Sequence, residues 1–173
     1  MARSPLAILF LTVFLDLLGF GLILPQLPYY AVRFGAGALA VGGLMAVYSL
    51  AQMVASPLWG GVSDRVGRRP VLNVSLIGSA VSTAFLGVVV DPGWWARLGG
   101  WLPDTLVGAS TALLALFAAR LLAGVATATI GVAQAYIADS TTPETRAKGM
   151  GIIGAAFGLG FVFGPALGGL LAP

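Results

Sequence analysis

Apolar residues run through this chain in long stretches, and polar residues gather in short clusters between them. Crossing a bilayer as a helix takes about 20 apolar residues. Five stretches satisfy that length: residues 5–27, 39–62, 71–90, 111–138 and 149–171. Within them stand only two charged side chains, Asp16 in the first and Arg120 in the fourth. The pattern predicts an all-α polytopic membrane protein of about five transmembrane helices. The stretch 5–24 is not read as a cleaved leader, because it is long, holds Asp16 and lacks a small-residue cleavage site.

Lys and Arg in short connections set the orientation of such a chain. One side would hold Arg3, Arg65, Arg68, Arg69, Arg146 and Lys148, and the other Arg33 and Arg97. The amino terminus is therefore expected in the cytoplasm of a cell inner (plasma) membrane, and five spans put the carboxyl terminus outside. The longest connection, 91–110, carries Asp91, Pro92, Trp94, Trp95, Trp101, Pro103 and Asp104. Tryptophans favour the headgroup level, so an external loop with a short surface-lying helix is expected there.

Composition agrees with lipid as the solvent. Of 173 residues 58% are hydrophobic and 9% charged, where a soluble domain carries roughly 25% charged. The net charge of +3 sits in particular connections, which reads as topology and not as nucleic-acid binding. Without Cys or His, disulfides, thiolate metal sites and nucleophile–His catalysis are excluded. No phosphate-cradling loop of the Walker type occurs, so ATP is not the direct energy source. Neither an enzyme nor a cofactor or metal site is expected.

A charge at mid-membrane costs about 2.5–3.5 kcal/mol on insertion scales, so Asp16 and Arg120 should face a cavity or each other. Their depths allow a contact or a bridge through water. As chemistry, the carboxylate could take up and release a proton, with the cation or a cationic substrate competing for it. As architecture, the pair could fix helix packing. Gln52, near Tyr48 and Ser49, is a mid-span polar group that could face the same cavity or bond a neighbouring helix.

Residues 60–70 read GGVSDRVGRRP. Gly60 and Gly67 permit close approach and tight turning, and Asp64 can pair with Arg68. Asp139, at the cytoplasmic end of the fourth span, could make that pair a triad. The string resembles the loop signature G-x-x-x-D-x-x-G-R-[RK] of the major facilitator superfamily, matched at Gly60, Asp64, Gly67, Arg68 and Arg69. The fourth span is similar to that family's pattern of Arg120 followed by Gly124. In the fifth, Gly151, Gly160, Gly164, Pro165, Gly168 and Gly169 resemble the g-x8-G-x3-G-P-x2-G-G pattern of its antiporter branch. The strings LDLLGFGLILPQLP, SDRVGRRPVL, SLIGSA, ARLLAGVATAT and AYIAD look like drug/proton antiporters of the tetracycline-efflux type over nearly the whole chain.

The resemblance implies a secondary transporter that exports small drug-like molecules in exchange for protons by alternating access. It implies Asp16 and Arg120 at the coupling centre, with Gln52 nearby. Asp64, Arg68 and Asp139 become a cytoplasmic latch, with Gly164 and Pro165 at the moving interface. One departure stands: exporters of tetracycline carry an acidic residue in helix three, where this chain has Ser82 and no charge, which points away from tetracycline itself. Inverted three-helix repeats make spans one and four equivalent. The chain then corresponds to most of an N-terminal six-helix bundle. A sixth span and the C-terminal half are expected as its missing partners, beside a small-molecule substrate, protons and the lipid bilayer. A sugar or organic-acid symporter of the same fold, or a non-transporting membrane fragment, are the alternatives.

Overall fold

The computed structural model describes residues 5–99 and 109–171; Arg3, Trp101, Pro103 and Asp104 lie outside the described residues. Every regular element among them is a helix: α1 (Pro5–Ile23), α2 (Gln26–Arg33), α3 (Ala38–Val66), α4 (Arg68–Val90), α5 (Pro92–Gly99), α6 (Ala109–Ala126), α7 (Ile130–Ser140) and α8 (Pro143–Leu171). Four uninterrupted or nearly straight apolar segments are long enough to cross a membrane, and the α1–α2 pair makes a fifth if counted as one bent span.

Span one is broken where one continuous helix to residue 27 is expected. The chain bends by 42° between α1 and α2. Pro25 has no amide to offer the Gly21 carbonyl and disfavours the helical conformation at Leu24. Pro28 repeats the loss one turn later. Span four, expected as one helix over 111–138, is interrupted between Ala126 and Ile130 without any proline. Spans one and four are the two that carry a charge at mid-span.

Spans two and three are nearly continuous with each other. α3 runs on to Val66 and α4 starts at Arg68, so the connection is Gly67 alone. Its φ of +95° and ψ of 157° lie where an L side chain is strained, which is why glycine stands there. Gly60, expected to help the turn, sits inside α3 with open space where a side chain would be. Asp64 accordingly belongs to the last turn of α3, and Arg68 and Arg69 to the first of α4.

α1 packs most extensively against α8, and α3 and α4 pack on α6. The buried apolar residues form two clusters at opposite ends of the bundle. One joins Leu9, Val13, Val71, Leu72, Ile137 and Ile153. The other joins Ile23, Leu27, Leu44, Leu86 and Leu116. Between them lies a polar layer with Asp16, Tyr48, Ser75, Arg120 and Thr127. The outside is as apolar as the core: Val32 and Leu114 are each 69% exposed, a surface that suits lipid and not water.

Beyond α4, the short α5 forms where a surface helix is expected. The Asp91 carboxylate accepts from the Gly93 amide at 2.9 Å and starts the helix. The Trp95 indole donates to the Val89 carbonyl at 2.7 Å, holding α5 against the end of α4.

Candidate substrate and proton site

A cavity of about 240 Å³ opens in the polar layer. α1 contributes Thr12, Asp16 and Phe20 to its wall, and α3 contributes Tyr48, Ser49 and Gln52. The interruption of span four adds Thr127 and Thr129, and α8 adds Phe157 and Phe161. Asp16 is the one charged residue among these. Its Oδ1 is buried without a hydrogen-bond partner. The arrangement is a carboxylate among four aromatic rings, the composition of a site for an amphipathic molecule.

Arg120 does not reach this carboxylate. No ion pair joins Asp16 to Arg120 among the described residues, against the contact that their depths allow. Arg120 is 1% exposed, and its guanidinium carbon lies 4.4 Å from the centroid of the Tyr48 ring and 5.6 Å from that of Phe20. Those rings are 4.9 Å apart. The electron-rich faces of aromatic rings attract a cation, which is how this charge is kept without a counter-ion. Its Nε and Nη2 still lack hydrogen-bond partners.

The interruption of span four is held by side chains from elsewhere. A helix that stops leaves its last carbonyls without amide donors. The Trp59 indole donates to the Val125 carbonyl at 2.7 Å, the Ser75 hydroxyl to Ala126 at 2.7 Å, and the Gln52 amide to Thr127 at 3.3 Å. Three consecutive carbonyls thus take donors from α3 and α4. The hydroxyl protons can be followed one by one. Thr127 spends its own on the Ala123 carbonyl at 2.8 Å, so in the 2.8 Å contact with Tyr48 the tyrosine is the donor. Ser75 likewise spends its proton on Ala126, so Thr129 donates to Ser75 across 2.7 Å.

The family model of the Major Facilitator Superfamily matches residues 9–173. The chain belongs to this superfamily. Over 98% of its length it is 38% identical to the tetracycline resistance protein, class C, of Escherichia coli, and covers 38% of that protein. It is 40% identical to the class B protein of Escherichia coli over 90% of this chain and 34% of the relative. A bovine relative, major facilitator superfamily domain-containing protein 10, is 34% identical over 95% of this chain and 38% of its own length. The chain thus spans a little over a third of the curated relatives it matches. Its apolar helices make it a multi-pass membrane protein.

Within that superfamily pattern, the residues of the loop signature come together at one end of the bundle. Arg68 Nη1 is 2.6 Å from Asp64 and Nε is 3.2 Å from Asp139. Its Nη1 also donates to the Ser63 hydroxyl at 2.5 Å. Arg69 donates to the Tyr136 hydroxyl at 3.0 Å and stacks 5.8 Å from its ring. Ser63 and Tyr136 were not anticipated. Tyr136 precedes Asp139 by three residues, a spacing that puts both on one face of α7.

In the fifth span, where the resemblance implies a moving interface at Gly164 and Pro165, three of the glycines pack on α1. A methyl group on Gly160 would stand 2.7 Å from the Leu17 Cβ, and one on Gly164 2.6 Å from the Gly21 Cα. One on Gly168 would run into the Leu22 carbonyl. These three, one turn apart, are occupied by α1 of the same bundle. Gly151 and Gly169 face open space. α8 passes through Pro165 without interruption, and the Gln26 amide donates to the Gly168 carbonyl at 3.0 Å near its end. Ser82 is buried and donates to the Gly78 carbonyl of its own helix at 2.5 Å.

Proposed function

We propose that this chain forms one helical bundle of a proton-coupled exporter of small amphipathic, drug-like molecules, working by alternating access. The supporting observation is the Asp16 carboxylate, with an unpartnered oxygen, facing a cavity walled by Phe20, Tyr48, Phe157 and Phe161. A carboxylate that is partly withdrawn from water binds a proton or a cationic group in competition. Exchange follows when release of one requires arrival of the other. A second helical bundle closes the other side of the pathway, with rocking between the two about the central site. Asp64, Arg68 and Asp139 act as the latch that holds one state, on the cytoplasmic side of the inner membrane. The kinship with tetracycline resistance proteins supports drug export. Tetracycline itself is not the expected cargo, because α4 offers a self-bonded Ser82 and no acid.

The test is accumulation of a fluorescent amphipathic dye in cells expressing the complete gene, with and without a proton uncoupler. Lower accumulation that the uncoupler abolishes is the expected result, and Asp16→Asn should abolish it too. Export that ignores the uncoupler, or an Asp16→Asn protein that exports normally, overturns the coupling role.

A further inference from the structure

Two opposite charges share the polar layer, both with unused hydrogen-bonding atoms, and they do not meet. Pairing is the ordinary solution for buried ions, since an unpaired one is heavily penalised. Something must therefore stand in the way. Tyr48 borders the same cavity as Asp16, and its ring covers the Arg120 guanidinium at 4.4 Å, whereas Arg120 itself does not line the cavity. We propose that Tyr48 is a positioning residue: its ring is a removable partition between Asp16 and Arg120, and its hydroxyl latches that partition to the joint in span four.

Three features make the partition movable and not merely present. The backbone beneath it is fixed, because Gly124 lets α6 approach so closely that a methyl there would collide with the Tyr48 carbonyl and stand 2.8 Å from the Ala51 Cβ. The side chain, by contrast, has the cavity to swing into. What holds it is one hydrogen bond to Thr127 and its ring contacts with Phe20 and Arg120. Thr127 lies in the interrupted stretch, where the backbone is already secured by side chains. Swinging the ring away would free the guanidinium for the carboxylate and release Thr127 at the same moment. While Asp16 carries a proton or a cationic guest, the guanidinium gains nothing by moving and stays between the rings. Once Asp16 is bare, attraction pulls on the guanidinium, but the latch and the ring contacts hold it until the joint in span four moves. Asp16, Tyr48 and Arg120 are the ionisable groups involved; the other charges on the described parts of α4 and α8 lie at their ends.

This inference rests on the proton-exchange reading but has its own readout: a double-mutant cycle on the melting temperature of the full chain purified in detergent. With Tyr48 in place, the shifts caused by Asp16→Asn and Arg120→Gln should add. In a Tyr48→Leu background the two charges can meet, so each single substitution should cost more than its share and the double less than their sum. Tyr48→Phe keeps the ring but loses the latch, and should show coupling weaker than in the Tyr48→Leu background. A tyrosine that served packing alone would lower the melting temperature without creating coupling. Additive shifts in every background, or equal coupling already with Tyr48 present, overturn the partition. If Tyr48→Leu does not fold, Tyr48→Met fills the same space with a flexible chain and carries the same expectation. Dye export can fail while the coupling is found, and the reverse, so the two readings fail separately.

Discussion

Gly164 and Gly21 meet backbone to backbone: a methyl group on Gly164 would stand 2.6 Å from the Gly21 Cα and 3.1 Å from the Leu18 carbonyl oxygen. Neither neighbour is a flexible side-chain tip, so neither can step aside. Close approach of this kind is how helices associate in lipid, where no hydrophobic force drives them together. Gly164→Ala should therefore push α1 from α8 and lower stability by about 1–3 kcal/mol, the usual cost of overpacking. Gly169→Ala faces open space and should be neutral or gain up to about 1 kcal/mol from helix propensity. Melting temperatures of the two variants in detergent separate a packed glycine from an idle one. Equal losses would mean that α1 and α8 are not apposed in this register.

The joint in span four should be looser without Ser75. This side chain is fully buried, donates to the Ala126 carbonyl and accepts from Thr129. Ser75→Ala leaves two buried polar groups short of a partner. Unsatisfied groups cost about 1–3 kcal/mol in water-soluble folds, but interhelical bonds in membranes average about 0.6 kcal/mol. A loss of about 1 kcal/mol is expected. Amide exchange at residues 127–133 should accelerate more than exchange in α8, and uniform exchange across all helices would deny the joint.

The spans and the turn at Gly67 could be read from the sequence because both are local. Apolar length marks a span, and a G-R-R string after an apolar run marks a tight basic turn. The interruption at Thr127–Thr129 is not local. Thr127 and Thr129 can compete with the backbone for hydrogen bonds, yet a lone ATAT string inside an apolar run reads as helix. What sustains the break is Trp59, Ser75 and Gln52, which lie 66, 51 and 75 residues away in sequence. The same holds for Arg120. Its depth was legible, but its neighbours Phe20 and Tyr48 come from two other spans, and opposite charges suggested an ion pair that is not formed. In the fifth span the glycine pattern was plain, while the face it presents depended on where α1 lies.

The Arg68 cluster should matter little to stability and be salt-sensitive. Asp64 and Asp139 have side chains 64% and 61% exposed, and exposed pairs are worth about 0–1 kcal/mol. Asp139→Asn alone should shift the melting temperature only slightly, and less at high salt. Its effect on dye export by the complete gene should be larger than its effect on melting. A stability loss as great as that of Gly164→Ala would make the cluster a structural support instead of a latch.

Orientation can be checked directly, because the chain has no cysteine of its own. Val66 ends α3 beside the Gly67 turn and is 59% exposed. Gly37 starts α3 at the other end, with open space around it and a negative φ of −84° that any residue adopts. Single Val66→Cys and Gly37→Cys variants therefore report opposite faces without disturbing a packed site. The excess of Lys and Arg around Gly67 should keep that end in the cytoplasm. Arg68 is partnered by Asp64 and Asp139 in the folded bundle, but acidic residues contribute little to the sorting of short loops, so the pairing does not cancel the signal. A membrane-impermeant maleimide added to intact cells should label Gly37→Cys, and should reach Val66→Cys only after lysis. The reverse pattern would put the Arg68 cluster on the outer face, where it could not serve as a cytoplasmic latch.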